Sequence, residues 1–308
     1  MIEISVVIPT YNNKTMLREI IKSLLIQKFP KGSFEIIVVD DGSIDKTANV
    51  IESFHLSNLV YIRQKNRGPA SARNKGISIA KGGIIAFIDD DCIPEKNWLI
   101  SIKREFKKNV VGVEGMTLPT EGIIYPDSHY IKNLSGKMYL TCNIAFLSSF
   151  IKKHCFDENY KYPNREDSDL AFRVISCGGK IVFSKNVVVK HRILKTKLKK
   201  LLKRKLYFQS DVLLFKKYPT LYKKYIKFPF EMFTPFYILV LLLTTLNQYF
   251  SIGLFVVTIL EVFYRKYKFS VKSFLKFLIA QSLGSVLNVL AVVYGCIKYK
   301  VNPIRLLF

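Results

Sequence analysis

Three aspartates in succession, Asp89-Asp90-Asp91, follow the apolar run at residues 84–88. Carboxylates packed this closely repel one another and raise each other's pKa unless a positive charge meets them. A hard divalent cation such as Mg2+ or Mn2+ would relieve that repulsion, because it takes oxygen ligands and keeps part of its shell for a substrate phosphate. A second acidic pair, Asp40-Asp41, follows the apolar run 35–39 and precedes Gly42-Ser43. A polar cluster, Thr10-Tyr11-Asn12-Asn13, closes the run 2–8 after Pro9. Taken singly, each cluster could equally be a solvated turn capping the next helix.

The elements that would position these groups follow from hydrophobic spacing. Residues 2–8, 35–39, 59–62 and 84–88 read as apolar strands. Between the first two, Leu17, Ile20, Ile21, Leu24 and Leu25 recur on one face of a helix. A second helix is expected from about Asp45, with that residue as N-cap, and a third from Pro69 at its first position. Alternating apolar strands and amphipathic helices predict an α/β fold: a mostly parallel, Rossmann-like sheet covered by helices on both faces. In such sheets ligands bind beyond the carboxyl ends of the strands, where every polar cluster named above falls. No G-x-G-x-x-G follows the first strand, which argues against a dehydrogenase.

The charge is unevenly spread. Of 48 basic and 23 acidic side chains, residues 195–308 hold twenty and three, and residues 1–194 hold the other 28 and 20. The excess therefore lies beside the most apolar sequence, a pattern that favours a membrane surface over nucleic acid. Cys92, Cys142, Cys155, Cys177 and Cys296 show no zinc-ligand spacing and read as small apolar residues in a reducing compartment. The chain opens directly on a strand, so no cleaved signal peptide is expected.

Three regions are predicted: a catalytic domain over 1–194, basic amphipathic interfacial helices over 195–230, and transmembrane helices over 231–308. Leu194, Leu198, Leu201, Leu202 and Leu206 form the apolar stripe of the interfacial segment. A single helix over 233–264 would be about 48 Å long, too long for a ~30 Å bilayer core, so the reading prefers a short hairpin divided at Asn247-Gln248. Residues 273–297 would then be a third helix, leaving two or three spans open. The loop 265–276 carries five basic residues and would lie on the cytoplasmic side, with Lys298, Lys300 and Arg305 falling outside.

The segments "VVIPTYN", "EIIVVDDGSIDKT", "NRGPASARNKGI", "IIAFIDDDCIP", "CNIAFLSSFIKKHCFDENY", "NREDSDLAFRV" and "VVVKHR", in this order over residues 3–192, closely resemble the family 2 glycosyltransferases. The resemblance implies the GT-A fold, a nucleotide-sugar donor (UDP- or GDP-linked), Mg2+ or Mn2+, and transfer with inversion. It implies that Pro9, Thr10, Tyr11 and Asn12 line the nucleotide pocket, that Asp41 reads the base edge, and that Asp40 supports its loop. Gly68-Pro69-Ala70 would approach the diphosphate, with Arg73 supplying positive charge and Asn66, Arg67 and Asn74 contributing. Asp91 would bind the metal, Asp89 and Asp90 would face the ribose and the metal shell, and His191 would contact metal or diphosphate. Asn143 and Ala145 would lie beneath the donor sugar. Of the pair Glu166-Asp167, Asp167 would be the base that takes the acceptor's proton and Glu166 would contact or orient the acceptor, while Asp169 would start the helix. The QxxRW motif of processive synthases is missing, the lone tryptophan being Trp98, so single-sugar transfer is expected. A lipid-linked or envelope-glycan acceptor, membrane lipid as a partner and the cytoplasmic face of the plasma membrane complete the expectation. A polyprenyl-phosphate acceptor and sugar-phosphate nucleotidyl transfer are the alternatives.

Overall fold

The computed structural model describes residues 1–246 and 248–307, which divide into two compact units. The first comprises Met1–Thr120 and Ile131–Arg192, the second Glu121–Tyr130 and Ile193–Phe308. The expected boundary near 194 is therefore crossed by a ten-residue excursion, 121–130, that the sequence did not announce.

The first unit is built on β1 (Ile4–Thr10), β2 (Phe34–Asp40), β3 (Leu59–Arg63) and β4 (Ile84–Phe87), all paired in parallel. The later strands are β5 (Cys92–Pro94), β6 (Val110–Pro119), β7 (Ser128–His129, in the second unit), β8 (Ile144–Leu147) and β9 (Lys180–His191). Eight of them form one sheet ordered β3-β2-β1-β4-β8-β6-β9-β5. Short β8 runs antiparallel between β4 and β6, and β5 runs antiparallel to β9. The sheet is thus mostly parallel with an inserted reversed strand.

Six helices accompany it: α1 (Lys14–Leu25), α2 (Thr47–Glu52), α3 (Pro69–Ile79), α4 (Trp98–Glu105), α5 (Ser148–Ile151) and α6 (Glu166–Ser176). The first strand shows why its sequence is apolar throughout rather than alternating. Val6 and Ile8 join the cluster that contains Leu17, Ile20 and Ile21 of α1. Val7, pointing the other way, meets α3 so closely that a Cβ on Gly76 would fall 2.4 Å from its Cγ1. Both faces of the strand are buried, as parallel sheets require. The polar loops are left at the carboxyl ends of β1, β2 and β4.

In the second unit, β7 pairs antiparallel with β10 (Leu194–Lys195). Leu194 is therefore a strand residue, and the predicted leucine stripe begins only at α7 (Leu198–Lys205). Then come α8 (Gln209–Lys217), α9 (Pro219–Tyr225), α10 (Thr234–Leu246), α11 (Ile252–Tyr264), α12 (Val271–Tyr299) and α13 (Pro303–Leu307). Helices α10 and α11 form a hairpin, with Val240 against Gly253 and the Phe233 and Tyr264 rings 5.7 Å apart. Of the dividing pair, Asn247 lies outside the described residues; Gln248–Ser251 is a 3-10 turn.

Among the described residues only α12 is long and apolar enough to cross a membrane. Its surroundings alter the sequence reading in two ways. Lys272 and Lys276 belong to this helix, so the basic loop is shorter than 265–276. The basic segment is also not separate from the apolar one, because α7 and α8 lie along α12: Lys205 Nζ donates to Gln281 Oε1 at 2.6 Å, and Val212 packs on Gly295. The opposite side of α12 presents Leu275, Ile279, Leu283, Val286, Leu290, Val293 and Ile297 as an exposed apolar stripe.

Candidate active site

Asp40 and Asp41 close β2 and diverge in task. Asp40 Oδ1 accepts from the Ser43 amide at 2.7 Å and Oδ2 from the Tyr61 hydroxyl at 2.6 Å, so this carboxylate holds the turn, as expected. Asp41 is more occupied than its expected role implies. Its Oδ1 accepts from Gln64 Nε2 and the Arg67 amide at 2.8 and 2.9 Å, and its Oδ2 from the Gly68 amide at 2.8 Å. It therefore organises loop 64–68, with lone-pair capacity left mainly on Oδ2. Gly42, at φ +86, has a place for its Cβ only 3.0 Å from the Asn66 amide nitrogen, which accounts for glycine at this turn. Asn12, itself left-handed at φ 52, ties the first loop to the second: its amide donates to Ser43 Oγ, and its Oδ1 accepts from the Ile44 amide. Pro9 is half-buried, Thr10 buried and Tyr11 exposed.

The three aspartates after β4 point in three directions. Asp89 Oδ1 accepts from Arg73 Nη2 at 2.8 Å. Asp90 accepts from Thr10 Oγ1 at 2.6 Å and Asn13 Nδ2 at 2.7 Å. Burial, with the adjacent Asp91 and Asp89 charges, pushes its carboxyl up to about 7 against those hydrogen bonds. Asp91 faces His191: Oδ2 lies 3.4 Å from Nε2. The β5–β9 register brings them together by placing Cys92 opposite His191 across a hundred residues of chain. Burial raises the Asp91 carboxyl, and the histidine opposes the rise.

Asp91, Cys92 and His191 bring one ligand atom each to within 4.8 Å of one another. Two of them suit a hard divalent ion. The His191 Nδ1 lies 2.8 Å from the Arg192 carbonyl, the outer hydrogen bond that orients a ligating imidazole so that Nε2 faces the metal. Cys92 does not suit it: burial and the neighbouring Cys142 hold its thiol well above the usual range, and a hard ion prefers oxygen.

Arg73 is the central side chain. Only 4% exposed, it donates through Nη2 to Asp89 and through Nη1 to Glu166 Oε1 at 3.2 Å, and it stacks 5.7 Å over the Phe156 ring. The fork joins the aspartates of β4 to the acidic start of α6. The two carboxylate groups thus share one cleft of the sheet. Arg73 was expected on the diphosphate, but its two terminal nitrogens are engaged by carboxylates.

Glu166 and Asp167 open α6 after Arg165, a non-glycine residue held at φ 75. Strain of this kind persists where surrounding structure fixes the backbone. Glu166 is buried; its Oε2 has no hydrogen bond, and burial with the Asp167 charge raises its carboxyl to about 7 against the pull of Arg73. Asp167 is half-buried. Its Oδ1 accepts from the Ser168 amide at 2.6 Å, and its pKa is raised by burial and partly restored by that bond. Asp169 does more than start the helix. Wholly buried, it pairs with Arg173 at 2.5 Å and accepts from the Tyr160 hydroxyl.

One expected site residue is committed elsewhere. Asn143 Oδ1 accepts from Trp98 Nε1 at 2.9 Å, and its Nδ2 donates to the Met116 and Val187 carbonyls. It ties the start of β8 to β6, β9 and α4; Gly115 makes the room, since a Cβ there would lie 2.3 Å from Asn143 Nδ2. Residues that the sequence reading passed over are Asn13, Gln64 and Glu158, which accepts from Arg67 and Asn74. Asn13 was visible as the end of the first polar cluster. Glu158 carried no signal beyond its place in a quoted motif.

Residues 5–162 match the family described as glycosyl transferase family 2. Glycosyltransferase AglE of Haloferax volcanii is 37% identical over 99 residues, 31% of this chain and 33% of that protein. Poly(ribitol-phosphate) beta-N-acetylglucosaminyltransferase TarS of Staphylococcus aureus is 36% identical over 94 residues, 30% of this chain and 16% of TarS. The matched segments are thus a third or less of these relatives' length. Among solved structures, the mannosyltransferase PcManGT of Pyrobaculum calidifontis, in complex with GDP-Man and Mn2+, superposes with a TM-score of 0.61 at 17% identity, covering 95% of this chain and 87% of its own. That likeness carries the fold, GT-A. With the family match spanning half of the sequence, the chain belongs to glycosyl transferase family 2.

Proposed function

We propose that this enzyme moves a single sugar, with inversion, from a UDP- or GDP-linked donor to a lipid-linked or envelope-glycan acceptor at the cytoplasmic face of the membrane. The observation that carries the reading is Arg73, which spans 2.8 Å to Asp89 and 3.2 Å to Glu166. A donor diphosphate near Asp89–Asp91 and an acceptor hydroxyl near Glu166-Asp167 would then meet across one side chain.

Inverting displacement needs a carboxylate on the face opposite the leaving group to take the acceptor's proton. Asp167 suits this task better than Glu166. It is partly open to solvent, its Oδ1 is held by the Ser168 amide, and Oδ2 accepts no hydrogen bond among the described residues. A raised pKa makes it a stronger base than an ordinary aspartate. Glu166, buried and bound to Arg73, would fix the position of the helix start. Asp91 and His191 would hold a Mg2+ or Mn2+ ion, which supplies positive charge to the departing diphosphate. Thr10 and Asn13 hold Asp90, and Asn12 holds the loop beside it, so the nucleotide wall is built before ligand arrives.

The Mn2+ and GDP-Man of the Pyrobaculum structure and the poly(ribitol-phosphate) named for TarS support a metal, a nucleotide-sugar and a phosphate-rich acceptor as classes. The exposed apolar stripe of α12 supports membrane attachment. Family membership favours sugar transfer over the nucleotidyltransferase alternative. The test is a panel of UDP- and GDP-sugars scored for transfer to total membrane lipid. Turnover with one donor that Asp167→Asn abolishes, without weakening nucleotide binding, is the expected result. Transfer that persists in that variant would remove Asp167 as the base.

A further inference from the structure

The second unit contains a cavity of about 870 Å³ where α8 ends, α9 begins and the chain leaves α12. Lys216, Lys223, Lys300 and Arg305 line it together with Phe215, Val301 and Ile304. Four cations in one concavity demand an anion, and among the described residues no carboxylate pairs with them. Residues 193–308 include three acidic side chains, each engaged elsewhere. Asp211 accepts from the Tyr222 hydroxyl, Glu231 pairs with Lys205 at 2.7 Å, and Glu261 pairs with Arg265 at 2.8 Å. Among the described residues none of the four cations has a carboxylate partner; Lys223 instead lies 6.0 Å over the Phe215 ring. Lys300 is fixed there by the backbone. It sits at φ 54 as the residue that caps α12, while the next amide, that of Val301, closes the helix on the Cys296 carbonyl at 2.9 Å.

We propose that this cavity holds the phosphate headgroup of an anionic membrane lipid, with the lipid's chain laid over the apolar wall. Like-charged groups crowded without counter-charge are relieved when a phosphate accepts their hydrogen bonds. Free phosphate would have no use for Phe215, Val301 and Ile304. A lipid would, because its chain can cover that apolar wall while the four cations hold its phosphate. This assignment rests on the membrane side of the function proposed above and is independent of sugar transfer.

Native mass spectrometry of the full chain in neutral detergent, doped with phosphatidylglycerol or phosphatidylcholine, tests it, because detergent removes the bulk membrane potential. The wild-type chain should retain one phosphatidylglycerol and no phosphatidylcholine. The fourfold variant Lys216→Gln, Lys223→Gln, Lys300→Gln, Arg305→Gln should retain at least tenfold less. A control losing the same charge from α7 and the residue before it, Lys197→Gln, Lys199→Gln, Lys200→Gln, Lys203→Gln, should retain as much as wild type. Equal loss in both variants would reduce the site to diffuse surface charge and overturn it. Displacement of the lipid by equimolar inorganic pyrophosphate would overturn it in favour of a soluble phosphate. If the fourfold variant fails to fold, Arg305→Gln and Lys300→Gln singly should each weaken retention about fivefold, the worth of one basic residue at a lipid headgroup; unchanged retention in both would overturn the site. UDP binding, measured alongside, should be the same in all variants.

Discussion

Replacing Arg73 with methionine removes the cation between Asp89 and Glu166 while keeping most of the buried volume. The guanidinium is 4% exposed and donates to both carboxylates, so its loss leaves Glu166, itself buried, without a counter-charge. Breaking a buried pair in this way costs about 3–5 kcal/mol. In a unit of this size each kcal/mol moves the midpoint by about 2–4 °C, so the fall at pH 8 should be on the order of 10 °C. The pH dependence is the sharper test. Burial raises the Glu166 carboxyl from 4.5 to about 7. A group whose folded pKa is raised contributes stability that is fully present below its unfolded value and is lost as pH rises through the folded one. Arg73 pulls that pKa down, so removing it deepens the loss above pH 7 and matters least well below pH 4.5, where Glu166 is protonated in both states. Thermal unfolding of wild type, Arg73→Met and Arg73→Lys at pH 5 and pH 8 measures this. The methionine variant should lose several degrees more at pH 8 than at pH 5, with lysine intermediate. An equal loss at both pH values would refute the account of Arg73 as the counter-charge of Glu166.

Other outcomes are expected of the same site. Asp167→Asn should leave nucleotide affinity unchanged and lower turnover by about 10²–10⁴, read by single-turnover transfer kinetics. Asp91→Ala should abolish the Mn2+ dependence of UDP or GDP affinity in titration calorimetry; a retained dependence would move the metal elsewhere. Gly115→Ala drives a Cβ to 2.3 Å from the Val187 carbonyl oxygen and should destabilise by about 1–3 kcal/mol in denaturant unfolding. Asn143→Ala should destabilise by about 3 kcal/mol through three lost hydrogen bonds, with donor preference unaltered; a changed preference would return Asn143 to the donor pocket.

The strands β1, β2 and β4 and helix α1 were legible because burial on two faces or one leaves an apolar run or a 3.6-residue stripe. The acidic clusters were legible because unpartnered carboxylates at strand ends invite a physical explanation. Pairings across long separations were not. Arg73 and Glu166 are 93 residues apart, and only the sheet order decides that the arginine reaches a carboxylate before any phosphate does. Asn143 was placed by its motif beneath the donor sugar, while its partners in the fold, two carbonyls and an indole, are ones that no local pattern marks. Asp169 stands in the first turn of α6 as expected, but its further partner Tyr160, outside that helix, carried no local signal. In the second half of the chain the leucine spacing continued through Leu194, but pairing with His129 drew that residue into a strand.

The excursion of residues 121–130 into the second unit has a consequence for descent and for engineering. A lineage cannot swap one half of this enzyme for another by a single crossover, because a break at 192 alone would leave a strand, β7, stranded from its mate. Any chimera that inherits a foreign tail must import a matching ten-residue insert at 121 as well, so the two segments are expected to be inherited together.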